Sequence, residues 1–356
     1  MAKTRAIRGA TLNAQSRRFN MPSVEDDGDW LDSRDLIDGA APPLRTTVTV
    51  ERPRTIISRN QSPDVPFDRS INPYRGCEHG CIYCFARPSH AFHDLSPGLD
   101  FESRLFAKPD AAAMLRDELK RPGYECRPMA LGTNTDPFQP IENHWGITRS
   151  IIEVLAETGH PLTITTKSDR VVRDIHLLGP MAERGLAAVC MSITSLDPRI
   201  AMTFEPRAPS PTRRLKAVEA LAAAGVPVYV SIAPVVPAIT DGEMEHILER
   251  AAAAGAKAAF FIPVRLPHEV APLFQAWLDE HFPDRAGKVM AIIRSLRDGR
   301  NNDPGFFTRM RGSGPWADLL ATRFRLACRR HGLNAERIVL RTDLFRPPAG
   351  PQGELF

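Results

Sequence analysis

Three cysteines within eight residues constrain this chain more than any other feature. They lie in Asn72-Pro73-Tyr74-Arg75-Gly76-Cys77-Glu78-His79-Gly80-Cys81-Ile82-Tyr83-Cys84-Phe85. The spacing of Cys77, Cys81 and Cys84, C-x3-C-x2-C, lets one short loop curl around a cubane iron–sulfur cluster and give a thiolate to each of three irons. The loop holds no fourth cysteine, so one iron stays open to a small molecule. Gly76 and Gly80 permit the tight curl. Two other readings use the same residues. Three cysteines with His79, His90 or His93 could make a Cys3His zinc site, which needs tetrahedral closure, although zinc loops usually pair C-x2-C with a second distant pair. An electron-transfer cluster would need a fourth ligand.

Six cysteines among 356 residues exclude a disulfide-stapled secreted module, and their clustering points to a metal site in a reducing, cytoplasmic compartment. The chain has no apolar run of about 18 residues, so no membrane span is expected. The first 20 residues hold five basic residues and no acid, without the apolar core of a secretory signal, and read as a basic arm. Residues 21–40 hold seven acids and one Arg. The chain to residue 68 shows no sustained period of 3.6 or 2.0 and is read as an extended arm.

From about residue 70, short β-branched runs alternate with amphipathic stretches. Strands are expected near 70–75, 129–132, 162–166, 188–193, 226–233 and 258–264. Helices are expected over 111–120, 147–158, 171–184, 212–224 and 242–254. Gly159, Gly185, Gly225 and Gly255 stand where helices end, because glycine accepts the left-handed backbone there. Repeated strand–helix–strand units argue for parallel strands with crossover helices. Six such strands suit an open partial barrel as well as a flat sheet, and the eight of a full barrel are not visible. After residue 265 the pattern is helical, over 270–281, 288–296 and 316–331. Residues 285–346 hold 14 Lys+Arg and 5 Asp+Glu, a net of +9, in a chain whose total is +4. The expected organisation is an N-terminal arm (1–68), a barrel (69–265), a basic helical extension (266–346) and a flexible tail (347–356).

The cysteine spacing, with Tyr83 before the third cysteine, resembles the radical S-adenosylmethionine (radical SAM) superfamily over residues 70–265. Within it, four stretches resemble the spore photoproduct lyase and DNA repair photolyase branch: Gly132-Thr133-Asn134-Thr135-Asp136-Pro137-Phe138-Gln139-Pro140-Ile141-Glu142, Thr165-Thr166-Lys167-Ser168, Ser192-Ile193-Thr194-Ser195-Leu196-Asp197 and Phe204-Glu205-Pro206-Arg207-Ala208-Pro209-Ser210-Pro211. The resemblance implies an α/β fold with a partial (β/α)6 barrel. It implies a [4Fe–4S] cluster on Cys77, Cys81 and Cys84, with S-adenosylmethionine chelating the fourth iron. One electron would then release methionine and a 5′-deoxyadenosyl radical that abstracts hydrogen from substrate. It also implies a flavodoxin or ferredoxin-type reductant. By the same resemblance Thr133, Lys167 and Ser192 contact S-adenosylmethionine, Lys167 through its carboxylate, with Tyr83 and Val235–Pro237 near the adenine. Thr194 joins them as a polar group at a strand end.

Simpler readings stand beside these. Ser192 and Thr194 could be strand hydroxyls satisfied by backbone, Lys167 a loop-end charge, Asp136 turn chemistry, Glu205 and Arg207 a structural ion pair, and Asp241 a helix N-cap. In spore photoproduct lyases a cysteine near the end of the second strand returns hydrogen to the substrate radical. Gly132 occupies that place here, with Cys126 and Cys190 as the other thiols to consider. Nucleic acid is the expected substrate class, with the +9 segment binding phosphate. A protein or small-molecule substrate, or a non-catalytic iron–sulfur or zinc protein, are the alternatives. Gln352-Gly353-Glu354-Leu355-Phe356 resembles the short bacterial motif that binds the sliding clamp, with Gly353 where that motif usually carries Leu.

Overall fold

The computed structural model describes residues 8–19 and 44–348, so the acidic stretch 21–40 and the Gln352–Phe356 motif lie outside the described residues. The strands are β1 (Thr47–Val50), β2 (Ser58–Arg59), β3 (Arg69–Ile71), β4 (Tyr74–Arg75), β5 (Arg104–Ala107), β6 (Met129–Leu131), β7 (Leu162–Thr166), β8 (Ala187–Ser192), β9 (Val228–Val235) and β10 (Ala258–Pro263). The main sheet runs β10-β9-β8-β7-β6-β3-β2. Six of its strands are parallel and sit in chain order, and only β2 is antiparallel. This is the partial six-stranded α/β barrel expected from the alternation of strands and helices.

Alternation along each strand sorts the side chains. Leu131, Ile164, Val189, Met191, Val230 and Ile232 pack outward in one core with the covering helices, such as Ile147–Glu157 and Pro211–Ala223. The intervening positions Thr163, Thr165, Cys190, Ser192, Tyr229 and Ser231 therefore face the barrel interior. Helix starts follow local chemistry. Ser210 and Asp197 accept from the backbone N–H of Arg213 and Arg199, and Pro211 and Pro198 occupy first turns that need no N–H donor.

The structure changes four expectations. The strand expected at 70–75 is two, broken at Asn72-Pro73, where proline removes a ladder donor and the Asn72 side chain turns to Thr133 and the Asn134 amide. The helix expected from Val171 opens as a 3-10 turn over Asp169–Asp174, capped by Ser168, before the α-helix Ile175–Glu183. Strands β1 and β2 lie in a stretch without visible period, because two to four residues are too few to show one. Asp241 caps nothing with its side chain and lies inside a 3-10 turn, its carbonyl accepting from Arg323.

Two connections shape access to the interior. Asp64, between β2 and β3, accepts from Arg309 Nε at 2.5 Å and from the Phe307 amide at 2.7 Å, so segments from the two ends of the sheet order meet there. At the N-terminal ends of the strands, the chain from Asn334 to Arg346 crosses the barrel. It bonds in turn to Lys257 and Ala259, to Tyr229, to Gly185 and to Thr158. Phe345 then packs on Tyr124 and His160. Among the described residues, no helix is long and apolar enough to cross a membrane.

Candidate active site

The cysteine loop follows β4 and lies over the C-terminal ends of the parallel strands. Cys77 and Cys81 are buried and Cys84 is half-buried. Gly76 and Gly80 take φ of +71° and +67°, and a Cβ on Gly76 would come within 2.8 Å of the Phe101 carbonyl. Arg87 holds the loop from beneath with no exposure of its own. Its guanidinium donates to the carbonyls of Gly80, Cys81, Pro97 and Gly98 and pairs with buried Glu102 at 2.5 Å. Glu102 also accepts from the amides of Gly9 and Ala10, which ties the N-terminal segment to the same point. From the other side, Gln139 accepts from the Glu78 amide and donates to the Gly76 carbonyl.

Asp136 joins three elements. It accepts from the Lys167 amide and the Thr166 hydroxyl, both at 2.7 Å, and from the Phe138 amide, and His79 Nδ1 lies 3.3 Å away. Burial pushes its pKa up, but His79, the Lys167 amide and Thr166 outweigh that and bring it down to about 2. The turn role expected for Asp136 is real, but it is the smaller part. The carboxylate links the cysteine loop to the ends of β6 and β7.

Glu205 is the second junction. It accepts from the Tyr83 hydroxyl and from Thr194 at 3.0 Å, and it pairs with Arg214 at 2.5 Å, all buried. Arg214 also donates to the Ser192 carbonyl. Arg207 pairs instead with Glu78, so Glu205 and Arg207 are both ion-paired but not to each other. The Lys167 ammonium sits 5.7 Å from the Tyr83 ring centre. Burial works against its charge, yet Cys81 and Glu205 hold its pKa above the usual lysine value. It is therefore a cation beside the cysteines.

The structure thus brings Cys77, Cys81, Cys84, Tyr83, Thr133, Lys167 and Ser192 to one mouth of the barrel. Thr133 exchanges hydrogen bonds with Asn72 at its rim, and Thr194 is committed to Glu205. Arg87, Glu102 and Arg214 were not legible in the sequence. Their roles need contacts between segments far apart in the chain, and an isolated arginine or glutamate carries no spacing signal.

The loop fits a cubane cluster. Burial, with Asp136 and Cys81 close by, pushes the Cys77 thiol well above its ordinary value, and the backbone N–H groups of Asp136 and His79 oppose this only in part. Among the described residues no three His, Cys, Asp or Glu side chains gather closely enough to hold one metal ion. A zinc ion would need that convergence, whereas a cubane takes each thiolate on a separate iron. His90 Nε2 is engaged by the Arg104 carbonyl.

A six-stranded α/β partial barrel with a three-cysteine loop over its C-terminal mouth defines a class of cluster-binding enzymes. The radical SAM superfamily model matches residues 71–251, and the chain belongs to that superfamily as an enzyme of the radical SAM type. An uncharacterized protein of Mycobacterium tuberculosis is 38% identical over 232 residues, 65% of this chain and 68% of that one. An uncharacterized protein of Methanocaldococcus jannaschii is 27% identical over 174 residues, 49% of this chain and 62% of that one. Among solved structures, a spore photoproduct lyase mutant with dinucleoside spore photoproduct superposes with a TM-score of 0.57. It is 16% identical, covering 90% of this chain and 88% of that one. A second mutant of that enzyme gives a TM-score of 0.56 at 18% identity, with 80% of each chain covered. At such identity these structures share the fold.

The remaining thiols separate by position. Cys126 precedes β6 at the N-terminal end of the barrel, away from the cysteine loop. Cys190 faces the interior, bonded to Thr165 and Ser231, and burial pushes its thiol up to about 12. Gly132 cannot be replaced by a cysteine without distortion. Its φ is +83°, and a Cβ there would stand 2.2 Å from the Thr165 carbonyl oxygen. Gly132→Cys is accordingly expected to lose at least about 1–2 kcal/mol of stability from the left-handed backbone alone, read from urea unfolding. A variant as stable as the parent would show that the backbone at 132 can relax.

Proposed function

We propose that this enzyme uses a 5′-deoxyadenosyl radical to modify or repair nucleic acid. The observation that carries the substrate class is the barrel interior. Thr163, Thr165, Cys190, Ser192 and Ser231 put small polar side chains there beside the larger Tyr229 and Phe260, and so offer a base-sized group both hydrogen-bonding partners and aromatic surface. The +9 segment supports the reading, although part of its charge is already neutralised, as in Arg323 with Glu245 and Arg341 with Asp343. The solved spore photoproduct lyase with its dinucleoside shows this fold in a nucleoside-binding protein.

Cys77, Cys81 and Cys84 would hold a [4Fe–4S] cluster, which with S-adenosylmethionine supplies the radical. The chain's own residues orient the cofactor. Lys167 pairs with the methionine carboxylate, Thr133 and Ser192 offer hydroxyls from the ends of β6 and β8, and Tyr83, fixed by Glu205 and Phe204, forms an aromatic wall. A flavodoxin or ferredoxin-type protein is the proposed electron donor. A duplex substrate must be flipped out of its stack to enter the barrel.

Lys167→Ala is expected to keep its iron and weaken S-adenosylmethionine binding ten- to a hundredfold, the worth of a charge-assisted contact of ~1.5–3 kcal/mol. Equilibrium dialysis of the reconstituted protein measures both. Unchanged affinity would return Lys167 to a structural role. The function itself is tested anaerobically with dithionite, by transfer of deuterium from labelled oligonucleotides into 5′-deoxyadenosine. Turnover without such transfer would move the substrate to the protein or small-molecule class.

A further inference from the structure

At the end of β10, beside the cysteine loop, three arginines share a setting with too little negative charge. Arg265 lies two residues past the end of β10, and its guanidinium lies 5.4 Å from the ring centre of Phe85, the residue after Cys84. No hydrogen bond or ion pair engages it among the described residues. Burial and the charge of Arg309 push its pKa down, and Asp64 only partly opposes them. Asp64 accepts instead from Arg309 through one carboxylate oxygen and from the Phe307 amide through the other. Arg297 is the third. It is 1% exposed and donates to the carbonyls of Pro263, Val264 and Arg309, while its Nε has no partner. Burial and the charge of Arg265 bring its pKa down to about 10, and Asp303 only partly opposes them. Structures rarely gather guanidiniums in this way unless an anion completes the group.

The surroundings indicate which anion. Phe85, Phe306 and Phe307 are 48%, 52% and 67% exposed, and Arg309 stacks on Phe306 at 4.9 Å. Phe260 of β10, facing the interior by alternation with Ala259 and Phe261, is 40% exposed. Exposed aromatic faces interleaved with guanidiniums suit bases and phosphates together.

We propose that Arg265 holds a backbone phosphate of the nucleic-acid substrate at the mouth of the barrel, with Phe85 and Phe306 offering faces to the adjoining bases. This rests on the nucleic-acid reading and gives it an address. A guanidinium held over the Phe85 ring has the planar fork that can give two parallel N–H bonds to phosphate oxygens.

The test is binding of a fluorescein-labelled single-stranded oligonucleotide to the reconstituted holoenzyme, by anisotropy across a range of NaCl concentrations. Arg265→Gln is expected to raise Kd about tenfold for oligonucleotides of any sequence and to lower the slope of log K against log salt by about one. Arg265→Lys should keep the slope and lose part of the affinity, since it retains charge without the fork. Iron content and the visible absorption of each variant show that the site has folded. If the wild type binds with salt dependence and Arg265→Gln binds equally well, the phosphate site is wrong while the nucleic-acid reading stands. An equal loss in Arg329→Gln, an exposed arginine on the helix Pro315–Arg330, would also overturn it. Absence of oligonucleotide binding by the wild type overturns both.

Discussion

Cys77→Ala, Cys81→Ala and Cys84→Ala are each expected to lose bound iron and to abolish reductive cleavage of S-adenosylmethionine. The loop offers one thiolate per iron and no substitute. Cys190 is turned into the barrel and bonded to Thr165 and Ser231, and Cys126 lies at the opposite end. Cys328→Ala is the control. That thiol is buried on the helix Pro315–Arg330, against Asn334, and its loss should leave the cluster untouched. Iron and sulfide analysis after anaerobic reconstitution, with 5′-deoxyadenosine measured by chromatography, checks all four. A loop variant with full iron content and turnover would refute the cluster assignment.

Arg87→Ala is expected to have the second largest effect, on the protein without any cofactor. Five hydrogen bonds converge on this guanidinium, and the Glu102 it pairs with is wholly buried. Removing it leaves a carboxylate without its countercharge and carbonyls of the cysteine loop without donors. Breaking one side of a buried pair costs about 3–5 kcal/mol. Because Gly80 and Cys81 lose their support, cluster uptake should fall together with stability. Arg87→Lys keeps the charge but cannot reach four carbonyls and Glu102 from one nitrogen, and it should recover only part of the loss. Urea unfolding of the unreconstituted protein measures the effect free of iron. A shift below about 1 kcal/mol, the scale of an exposed pair, would mean that the loop is supported elsewhere.

The strand–helix alternation was legible because it is periodic and local. Leu162–Thr166 and Val270–His281 stand where the pattern placed them, since each presents one apolar face long enough to be read. What escaped was short or non-local. Strand β2 has two residues, and its place at the sheet edge depends on pairing with β3. Glu205 reads in sequence as half of a pair with Arg207 two residues on. In the fold it serves Tyr83, Thr194 and Arg214, while Arg207 reaches back to Glu78. The +9 segment looks like one basic face. The structure divides it, placing Arg337, Arg341 and Arg346 on the segment that crosses the N-terminal end of the barrel and Arg297 and Arg309 beside the cysteine loop.

The sequence alone presented the three cysteines as one candidate cluster site, because thiols at C-x3-C-x2-C spacing act within one loop and need only glycine to let it curl. The order of the barrel strands was nearly as legible, since helical crossovers between parallel strands leave few topologies. Only the tertiary structure decided which charges survive beside the cysteine loop. Lys167 stays cationic because Cys81 and Glu205 surround it, Asp136 becomes a junction because β7 ends against it, and Arg265 has no hydrogen bond or ion pair among the described residues, while Arg309 pairs with Asp64. Such assignments depend on electrostatic partners that sequence separates by tens to hundreds of residues, and on burial, which makes each unpaired charge costly enough to matter.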